Sequence, residues 1–288
     1  MRNEYFKEGR DIMKKKLRTI GAIVVGAVVL VALALPSILT VMGLHPHYDR
    51  VEYDLAGKKA LVITTSHDTL GNTGKPTGVF GSEMTIPYYE FIDAGMEVDI
   101  ASIEGGKIPI ESVSLRYPMA SSADKRYLKD KEAQRKTENS LKIDDVDFLD
   151  YDIIFMAGGW GASYDLGQSE VLGKKITEAN AEGILLGSVC HGALGFLKAK
   201  ETDGKPLVEG KKMTAVTDKQ VEELGISITP MHPENELRKL NADFQSNTAF
   251  RDMFATMMVV DGNIVTGQNQ NSSGPTAQML LRLLDRIQ

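Results

Sequence analysis

The stretch GILLGSVCHGALGFL, residues 183–197, constrains the fold of this 288-residue chain more than any other. Its apolar run 184–186 predicts a buried strand, and the small residues that follow predict a tight turn at Cys190. Apolar residues at helical spacing then predict a helix. A strand, a turn that carries a nucleophile and a helix make up the nucleophile elbow of α/β hydrolases, here with cysteine instead of serine. The stretch therefore predicts an α/β fold with a thiol at a strand end.

Cys190 is the only cysteine of the chain, so it cannot form an intramolecular disulfide. A single cysteine is often just a small buried hydrophobic residue. The small residues on both sides, the adjacent His191 and the strand-to-helix transition favour a functional thiol instead. Because the N–H groups at a helix N-terminus stabilise negative charge, the pattern also favours thiolate over thiol at Cys190.

Apolar and helical segments alternate along the chain after residue 57. The predicted strands are 59–65, 96–102, 151–156, the run before Cys190, 212–217, 254–260 and 263–266. The predicted helices are 83–93, 169–181, 219–224 and 275–287. This alternation predicts a doubly wound, mostly parallel sheet sandwiched by helices, with a flavodoxin-like arrangement. Residues 107–146 are polar and irregular, and we expect an insertion or cap that contains a helix.

The N-terminal region differs from the rest in composition. Residues 1–18 contain seven basic and three acidic residues, and residues 19–44 form an uncharged run of 26. Such a run is long enough for a helix that crosses a hydrocarbon core of about 30 Å. A cleaved signal peptide is the alternative, because residues 32–34 have the small-residue spacing of a cleavage site. Apolar residues continue beyond that point, which favours a membrane anchor.

The composition thus predicts four parts: a basic cytoplasmic tail (1–18), a transmembrane helix (19–44), a linker (45–56) and an α/β domain (57–288). The basic flank predicts a cytoplasmic N-terminus and an extracytoplasmic domain. His45 and His47 are interpreted as part of a solvated linker rather than as metal ligands. The whole chain carries a charge of −6 despite its basic tail, so the remainder is acidic, which argues against nucleic acid as a partner.

Functional side chains of open α/β sheets lie at the carboxyl ends of the strands. Glu83 begins the helix after the first strand and its loop, where a carboxyl beside a thiol can shuttle protons. The alternative is that Glu83 only complements the helix dipole. Gly158 and Gly159, followed by Trp160, end the third strand. Their backbone N–H groups, with that of His191, can form an oxyanion hole, and a plain tight turn is the alternative.

Asp218 follows the predicted strand 212–217 and is a candidate third member of a triad with Cys190 and His191. An N-cap of the predicted helix 219–224 accounts for Asp218 equally well. The sequence alone leaves both interpretations open.

Four segments together resemble the ThiJ/PfpI superfamily, whose fold is like that of class I glutamine amidotransferase domains. They are GVFGSEMTIPYYEFIDAGMEVDIASIEGG, FMAGGWGA, GSVCHGALGFL and DGNIVTGQNQNSS. The resemblance covers about residues 57–287. Within the superfamily the chain looks most like the branch of heat-shock holding chaperones with cofactor-independent glyoxalase III activity. This resemblance implies that Cys190 is the nucleophile, His191 the acid/base, Glu83 a protonated carboxyl beside the thiolate and Asp218 the triad acid.

This chain departs from the family pattern at two places. Ala193 stands where many members have proline, and most relatives lack an N-terminal anchor. Some relatives bind zinc through a histidine close to the glutamate. Here residues 80–82 are Phe, Gly and Ser, so we expect no metal ion beside Glu83.

The resemblance implies an enzyme, and a glyoxalase III-like lyase is the first hypothesis. In that hypothesis a small 2-oxoaldehyde such as methylglyoxal becomes a hydroxy acid through a hemithioacetal on Cys190, without an organic cofactor. A hydrolase of the PfpI peptidase or amidase type is the second hypothesis, with a peptide as the substrate. The third is a holding chaperone or a redox or stress-response protein in which Cys190 is oxidised. Relatives of this kind often dimerise, so a homodimer is also expected.

Overall fold

The computed structural model describes residues 2–287, and the chain divides into two compact units, Met1–Met42 and Gly43–Gln288. The α-helices are α1 (Arg2–Val41), α2 (Gly81–Asp93), α3 (Ser122–Tyr127), α4 (Lys131–Glu138), α5 (Ala162–Asp165), α6 (Glu170–Ala181), α7 (Asp218–Glu223), α8 (Pro233–Lys239) and α9 (Ser273–Ile287). The strands are β1 (Lys59–Thr64), β2 (Glu97–Ser102), β3 (Leu141–Lys142), β4 (Ile153–Met156), β5 (Leu185–Val189), β6 (Lys212–Met213), β7 (Asp243–Phe244), β8 (Met258–Asp261) and β9 (Ile264–Gly267).

The first unit consists of α1. Its part Met13–Val41 is long and apolar enough to cross a membrane. A signal sequence near an N-terminus has the same length and composition, so these properties fit an anchor and a signal sequence alike.

The second unit is built on one large sheet. Within the described residues this sheet has seven strands in the order β3-β2-β1-β4-β5-β9-β8. All neighbours are parallel except β8 and β9, which form an antiparallel pair. The chain winds outward from β1 to β3 on one side and then continues through β4 on the other side. The prediction of a doubly wound, mostly parallel sheet is therefore confirmed, with its switch point between β1 and β4.

Alternate residues of the central strands are buried in two separate cores. Ala60 and Val62 of β1 pack in the core that contains the apolar faces of α2 and α9. Leu61 and Ile63 of the same strand pack in the opposite core, which contains the apolar face of α6. The unbroken apolar runs of the sequence thus result from burial on both faces of the sheet.

Two predicted strands are shorter than expected and differ in their surroundings. Of residues 212–217 only β6 is a strand, and it pairs with β7 in a separate two-stranded sheet. The reason is that the next amide, Thr214 N–H, donates to the side-chain oxygen of Thr266 at 2.9 Å instead of joining a ladder. Of residues 254–260 only the end is strand, because the preceding turn is organised around the buried carboxyl of Asp252.

Residues 107–146 contain two short helices, α3 and α4, where one helix was expected. The segment then returns to the main sheet, because β3 pairs in parallel with β2 at residues 101–102. This segment is therefore partly an extension of the sheet and partly a cap.

Residues 45–56 differ from the predicted solvated linker, because much of this segment packs on α2 and α9. The Tyr48 ring lies so close to Gly274 that a Cβ there would be 2.2 Å from the ring. Glu90, only 6% exposed on α2, accepts hydrogen bonds from the Tyr48 hydroxyl at 2.7 Å and from Arg50 Nε at 3.0 Å. We call residues 43–55 the strap.

Candidate active site

The elbow at the end of β5 holds Cys190 in a backbone conformation that is rare for residues other than glycine. Its φ is 56°, in the left-handed region. Strain of this kind costs free energy and is concentrated at functional sites. From Cys190 to Phe196 the chain forms a 3-10 helix rather than the expected α-helix. Gly192 allows this turn to touch the end of β4, since a Cβ there would lie 2.1 Å from Met156 O.

The thiol of Cys190 is buried and 5% exposed. Burial raises the pKa of this thiol, and the nearby Glu83 carboxylate raises it further, whereas the amides of His191 and Gly159 oppose the rise. The N–H groups thus act in the expected direction, but desolvation and the neighbouring carboxyl outweigh them, so the thiol rather than the thiolate is favoured at rest.

Glu83 lies in the first turn of α2 and is 1% exposed. Burial raises its pKa well above the usual range, and the carboxyl of Glu111 adds to the rise, while Cys190 and the amides of Gly158 and Gly159 lower it. The first effect is the largest, so the protonated carboxyl is favoured. Glu83 thus faces the thiol as a neutral acid, which differs from a residue that merely complements a helix dipole.

The turn Gly158–Gly159 brings the end of β4 against both groups. A Cβ on Gly158 would lie 2.5 Å from Glu83 Oε2 and 2.7 Å from His191 N. Gly159 has a φ of 101°, and a Cβ there would lie 2.4 Å from Gly78 O. Glycine is needed at both positions because of close contact, and at Gly159 also because of backbone conformation.

His191 is 1% exposed, and its Nδ1 lies 3.4 Å from Cys190 Sγ. Burial, with a smaller effect of nearby His232, lowers the pKa of His191 to about 3. The imidazole is therefore neutral near pH 7 and can accept a proton from the thiol. Among the residues that the structure describes, His191 Nε2 has no hydrogen-bond partner.

Asp218 does not contact His191 in this structure. Its Oδ1 lies 4.0 Å from Nδ1 of His232, and its backbone N–H donates to Glu234 Oε2 at 2.9 Å. Asp218 is the first residue of α7. The N-cap is Thr217, whose side chain accepts a hydrogen bond from the backbone N–H of Gln220. The role of Asp218 as a triad acid stays a prediction, and the imidazole that its carboxyl approaches in this structure is that of His232.

A second buried carboxyl near the site, Glu111, was missed at the level of sequence. Its Oε1 accepts the Trp160 amide at 2.9 Å. Burial raises the pKa of Glu111 to about 7, against hydrogen bonds from Trp160 and Thr77 that lower it. Glu111 belongs to the irregular segment 107–146, where no strand period indicated which side chain turns inward.

The groups described so far can perform addition to a carbonyl with proton transfer. A thiol, a neutral carboxyl and a neutral imidazole meet at one strand end, and two amides face the sulfur. Within residues 2–287 no group of three or more His, Cys, Asp or Glu side chains has the arrangement of a metal site. The absence of a metal ion and of an organic cofactor stays a prediction.

Comparison with known proteins identifies similar chains. A family model described as the DJ-1/PfpI family matches residues 77–282. The glutathione-independent glyoxalase HSP31 of Saccharomyces cerevisiae is 33% identical over 233 residues, which cover 77% of this chain and 96% of HSP31. Glyoxalase 3 of Candida albicans is 30% identical over 226 residues, which cover 77% of this chain and 95% of that protein.

Solved structures give the same result. The crystal structure of glyoxalase III from Candida albicans matches with a TM-score of 0.71 at 29% identity and covers 78% of this chain and 96% of that one. The Rapid Encystment Protein of 24 kDa from Francisella tularensis matches with a TM-score of 0.73 at 29% identity, over 79% of this chain and 99% of that one.

Proposed function

The chain belongs to the DJ-1/PfpI family, and on that basis we propose that it is a glutathione-independent glyoxalase. Its substrate would be a small 2-oxoaldehyde such as methylglyoxal, and its product the corresponding 2-hydroxy acid. The observation that carries the proposal is the meeting of three groups: the Cys190 thiol, the His191 Nδ1 at 3.4 Å and the buried carboxyl of Glu83. Relatives that carry the name glyoxalase support it.

The reaction begins with attack of the Cys190 sulfur on the aldehyde carbon. The thiol proton passes to the imidazole of His191 and the Glu83 carboxyl protonates the aldehyde oxygen, so the new C–S bond gives a hemithioacetal. The Glu83 carboxylate then takes the proton from the former aldehyde carbon, while protonated His191 gives its proton to the neighbouring ketone oxygen, which forms an enediol-like intermediate. Glu83 returns its proton to that neighbouring carbon, and His191 takes the hydroxyl proton of the carbon that carries sulfur.

The rearranged product is a thioester on Cys190. Water adds to the thioester carbon, the C–S bond breaks, and the sulfur regains a proton as the hydroxy acid leaves. One water is consumed for each aldehyde, and no electron acceptor is needed. The amides of Gly159 and His191 face the sulfur and would stabilise the oxyanion that forms in each addition step.

The hydrolase alternative has less support from the geometry. A Cys–His–Asp peptidase needs the acid to hold the histidine, and here Asp218 lies beside His232 instead. A buried carboxyl that favours its protonated form is suited to proton transfer at carbon rather than to orienting an imidazole. We therefore keep the PfpI-type peptidase, the holding chaperone and the redox sensor as outcomes of the tests.

We further propose that α1 anchors the protein in a membrane, with the N-terminus in the cytoplasm and the α/β domain outside. The length and apolar character of Met13–Val41 support this, as does the basic composition of residues 1–18. Protease treatment of intact and broken cells tests the orientation. Loss of residues 1–34 from the mature protein would indicate a cleaved signal sequence instead.

The function is tested with full-length protein in detergent, incubated with methylglyoxal while lactate is measured. Cys190→Ser removes the nucleophile, so we expect lactate formation to cease, and Glu83→Gln removes the transferable proton, so we expect it to fall about 10²–10⁴-fold. Glu104→Gln, on an exposed side chain of the same domain, is the matched control and should retain full activity. No lactate from folded wild-type protein would refute the proposal, and peptidase and chaperone assays would then decide between the alternatives.

A further inference from the structure

The segment between β2 and β3 reaches the active site through one side chain. Glu111 is 5% exposed, and its Oε1 accepts the Trp160 amide at 2.9 Å and the Thr77 hydroxyl at 3.3 Å. We propose that Glu111 is a positioning residue for the chemistry at Cys190, because it holds the Gly159–Trp160 segment in place beside the thiol. The kinetic part of this inference rests on the proposed function, and its structural part does not.

The backbone around Glu111 is itself fixed to the loop that precedes α2. Glu111 N–H donates to Val79 O at 3.0 Å, and Val79 N–H donates to Pro109 O at 2.9 Å. The Ser114 hydroxyl donates to Glu111 O at 2.6 Å and accepts the Gly81 amide at 2.8 Å. A single carboxyl thus joins three parts of the site: the segment 107–146, the loop that leads to Glu83 and the turn after β4.

The turn after β4 needs such a support because its two glycines have no side chains to pack. Hydrogen bonds hold it instead, from Phe80 N–H to Gly158 O at 3.3 Å, from Gly161 N–H to Gly78 O at 3.2 Å and from Trp160 N–H to Glu111. The Glu111 bond is the shortest of these three and the one with a carboxyl acceptor, which makes it the strongest. It fixes the peptide next to the Gly159 amide, which faces the Cys190 sulfur.

Glu111 also acts on the site through its charge. Glu83 from α2 is the titratable group that faces it, and the loops before α2 and after β4 contribute the neutral donors Thr77 and Trp160. An ionised Glu111 raises the pKa of Glu83, so it favours the protonated form of Glu83. In the described part of the chain, Glu111 Oε2 has no hydrogen-bond partner, while Oε1 accepts the two hydrogen bonds given above.

Two substitutions in the full-length protein distinguish the effect of Glu111 on the position of the turn from the effect of its charge. Glu111→Gln keeps the reach and the carbonyl acceptor but removes the charge, whereas Glu111→Asp keeps the charge but shortens the reach. If Glu111 positions the turn, Asp lowers kcat about tenfold with little change in KM, and Gln stays within about threefold of wild type at its own pH optimum.

Alkylation of Cys190 by iodoacetamide supplies a second readout that needs no glyoxalase activity. Because Cys190 is the only cysteine, the rate reports on one sulfur. Glu111→Gln keeps the carbonyl acceptor for the Trp160 amide, so its limiting alkylation rate at high pH should match that of the wild type. Glu111→Asp should leave the midpoint in place and change the limiting rate at high pH by about threefold or more, because the amide turn beside the sulfur is no longer fixed.

The proposal is overturned if Glu111→Asp keeps both the wild-type kcat and the wild-type alkylation profile. It is also overturned if Gln and Asp lose activity equally at their optima, because the retained acceptor of Gln should rescue the turn. If wild-type protein forms no lactate, the proposed function fails, and the alkylation rates of the two variants still decide the role of Glu111. Glu104→Gln serves as the control in both assays.

Discussion

The carboxyl of Glu83 and the thiol of Cys190 are buried together, so a charge on one opposes a charge on the other. Burial raises the pKa of both groups, and the Glu83 carboxyl raises that of Cys190 further, whereas the hydrogen bond with Cys190 lowers that of Glu83. Such a pair behaves as one acid that gives up its first proton with difficulty. The chemistry at this site therefore depends on a substrate carbonyl whose oxygen takes up the negative charge as the sulfur loses its proton and attacks.

Replacement of Glu83 by glutamine separates these two effects. Because glutamine is neutral at every pH, the pKa of Cys190 should fall, and the midpoint of alkylation by iodoacetamide should move to lower pH. Because glutamine transfers no proton, kcat for lactate formation should fall about 10²–10⁴-fold. A variant with a more reactive thiol and a slower enzyme is the expected outcome, and unchanged alkylation would contradict the pairing of the two groups.

Gly158 is the position where an added methyl group would meet two of the proposed catalytic residues directly. In Gly158→Ala the new Cβ would lie 2.5 Å from Glu83 Oε2 and 2.7 Å from His191 N. We expect kcat/KM to fall by about 10²-fold, because a misplacement of about 1 Å at reacting groups has that effect. Gly21→Ala in α1 is the control, since a Cβ there meets no heavy atom within 4 Å and its φ is not positive. Equal losses in both variants would contradict the explanation by contact.

At the scale of single residues, the sequence predicted those features that depend only on neighbouring residues in the chain. The turn at Cys190 and the two glycines after β4 follow from small residues at strand ends, and the structure places both at the sheet edge. Glu111 could not be predicted, because its burial depends on pairing between segments about 30 residues apart. The position of Asp218 beside His232 depends likewise on how α7 and α8 meet.

At the scale of elements, the strap 43–55 changes how the α/β domain is delimited. Leu44 and Leu55 are 2% and 1% exposed, and the strap supplies two of the hydrogen-bond donors that satisfy Glu90 on α2. The remaining donor, Gln278 Nε2 of α9, lies 2.6 Å away. The boundary was predicted at residue 57 because the first apolar strand begins there. The polar composition of the strap did not indicate that it packs on α2 and α9.

The contribution of the strap can be measured by chemical denaturation of a form that begins at Gly43. Arg50→Ala removes a charged donor from the buried Glu90, so the free energy of unfolding should fall by about 1–3 kcal/mol. A form that begins at Gly57 should lose more, because it also exposes the surface under Leu44 and Tyr48. Lys107→Ala, which removes an exposed ion pair with Glu138, is the control and should change little. Equal stability of all four forms would show that the strap contributes nothing.

At the scale of the whole molecule, the buried titratable groups make stability depend on pH. Glu111 has a pKa of about 7 in the folded state against 4.5 as its ordinary value. The folded state therefore holds the proton more tightly, and stability falls as pH rises from 4.5 through 7. His191 acts in the opposite sense, since its pKa of about 3 against 6.5 means that stability is lost as pH falls below 6.5.

Urea unfolding at several pH values tests this balance. Over the window from pH 4.5 to 7, Glu111 should cost the wild type up to about 3 kcal/mol of unfolding free energy. Glu111→Gln has no proton to lose, so between pH 6 and 8 its unfolding free energy should decline by about 1 kcal/mol less than that of the wild type. Parallel curves for the two proteins would contradict the burial of an ionisable Glu111.

The glycines of the site also limit which substitutions a chain of this kind can accumulate during evolution. At Gly158, Gly159, Gly161 and Gly192 any side chain would approach a neighbour within 2.7 Å, so these positions are closed to point mutation. Glu111 of the segment 107–146 holds the turn after β4 through a side chain. Replacement of residues in that segment can therefore alter the placement of the turn, where the glycines themselves leave no room for an added atom.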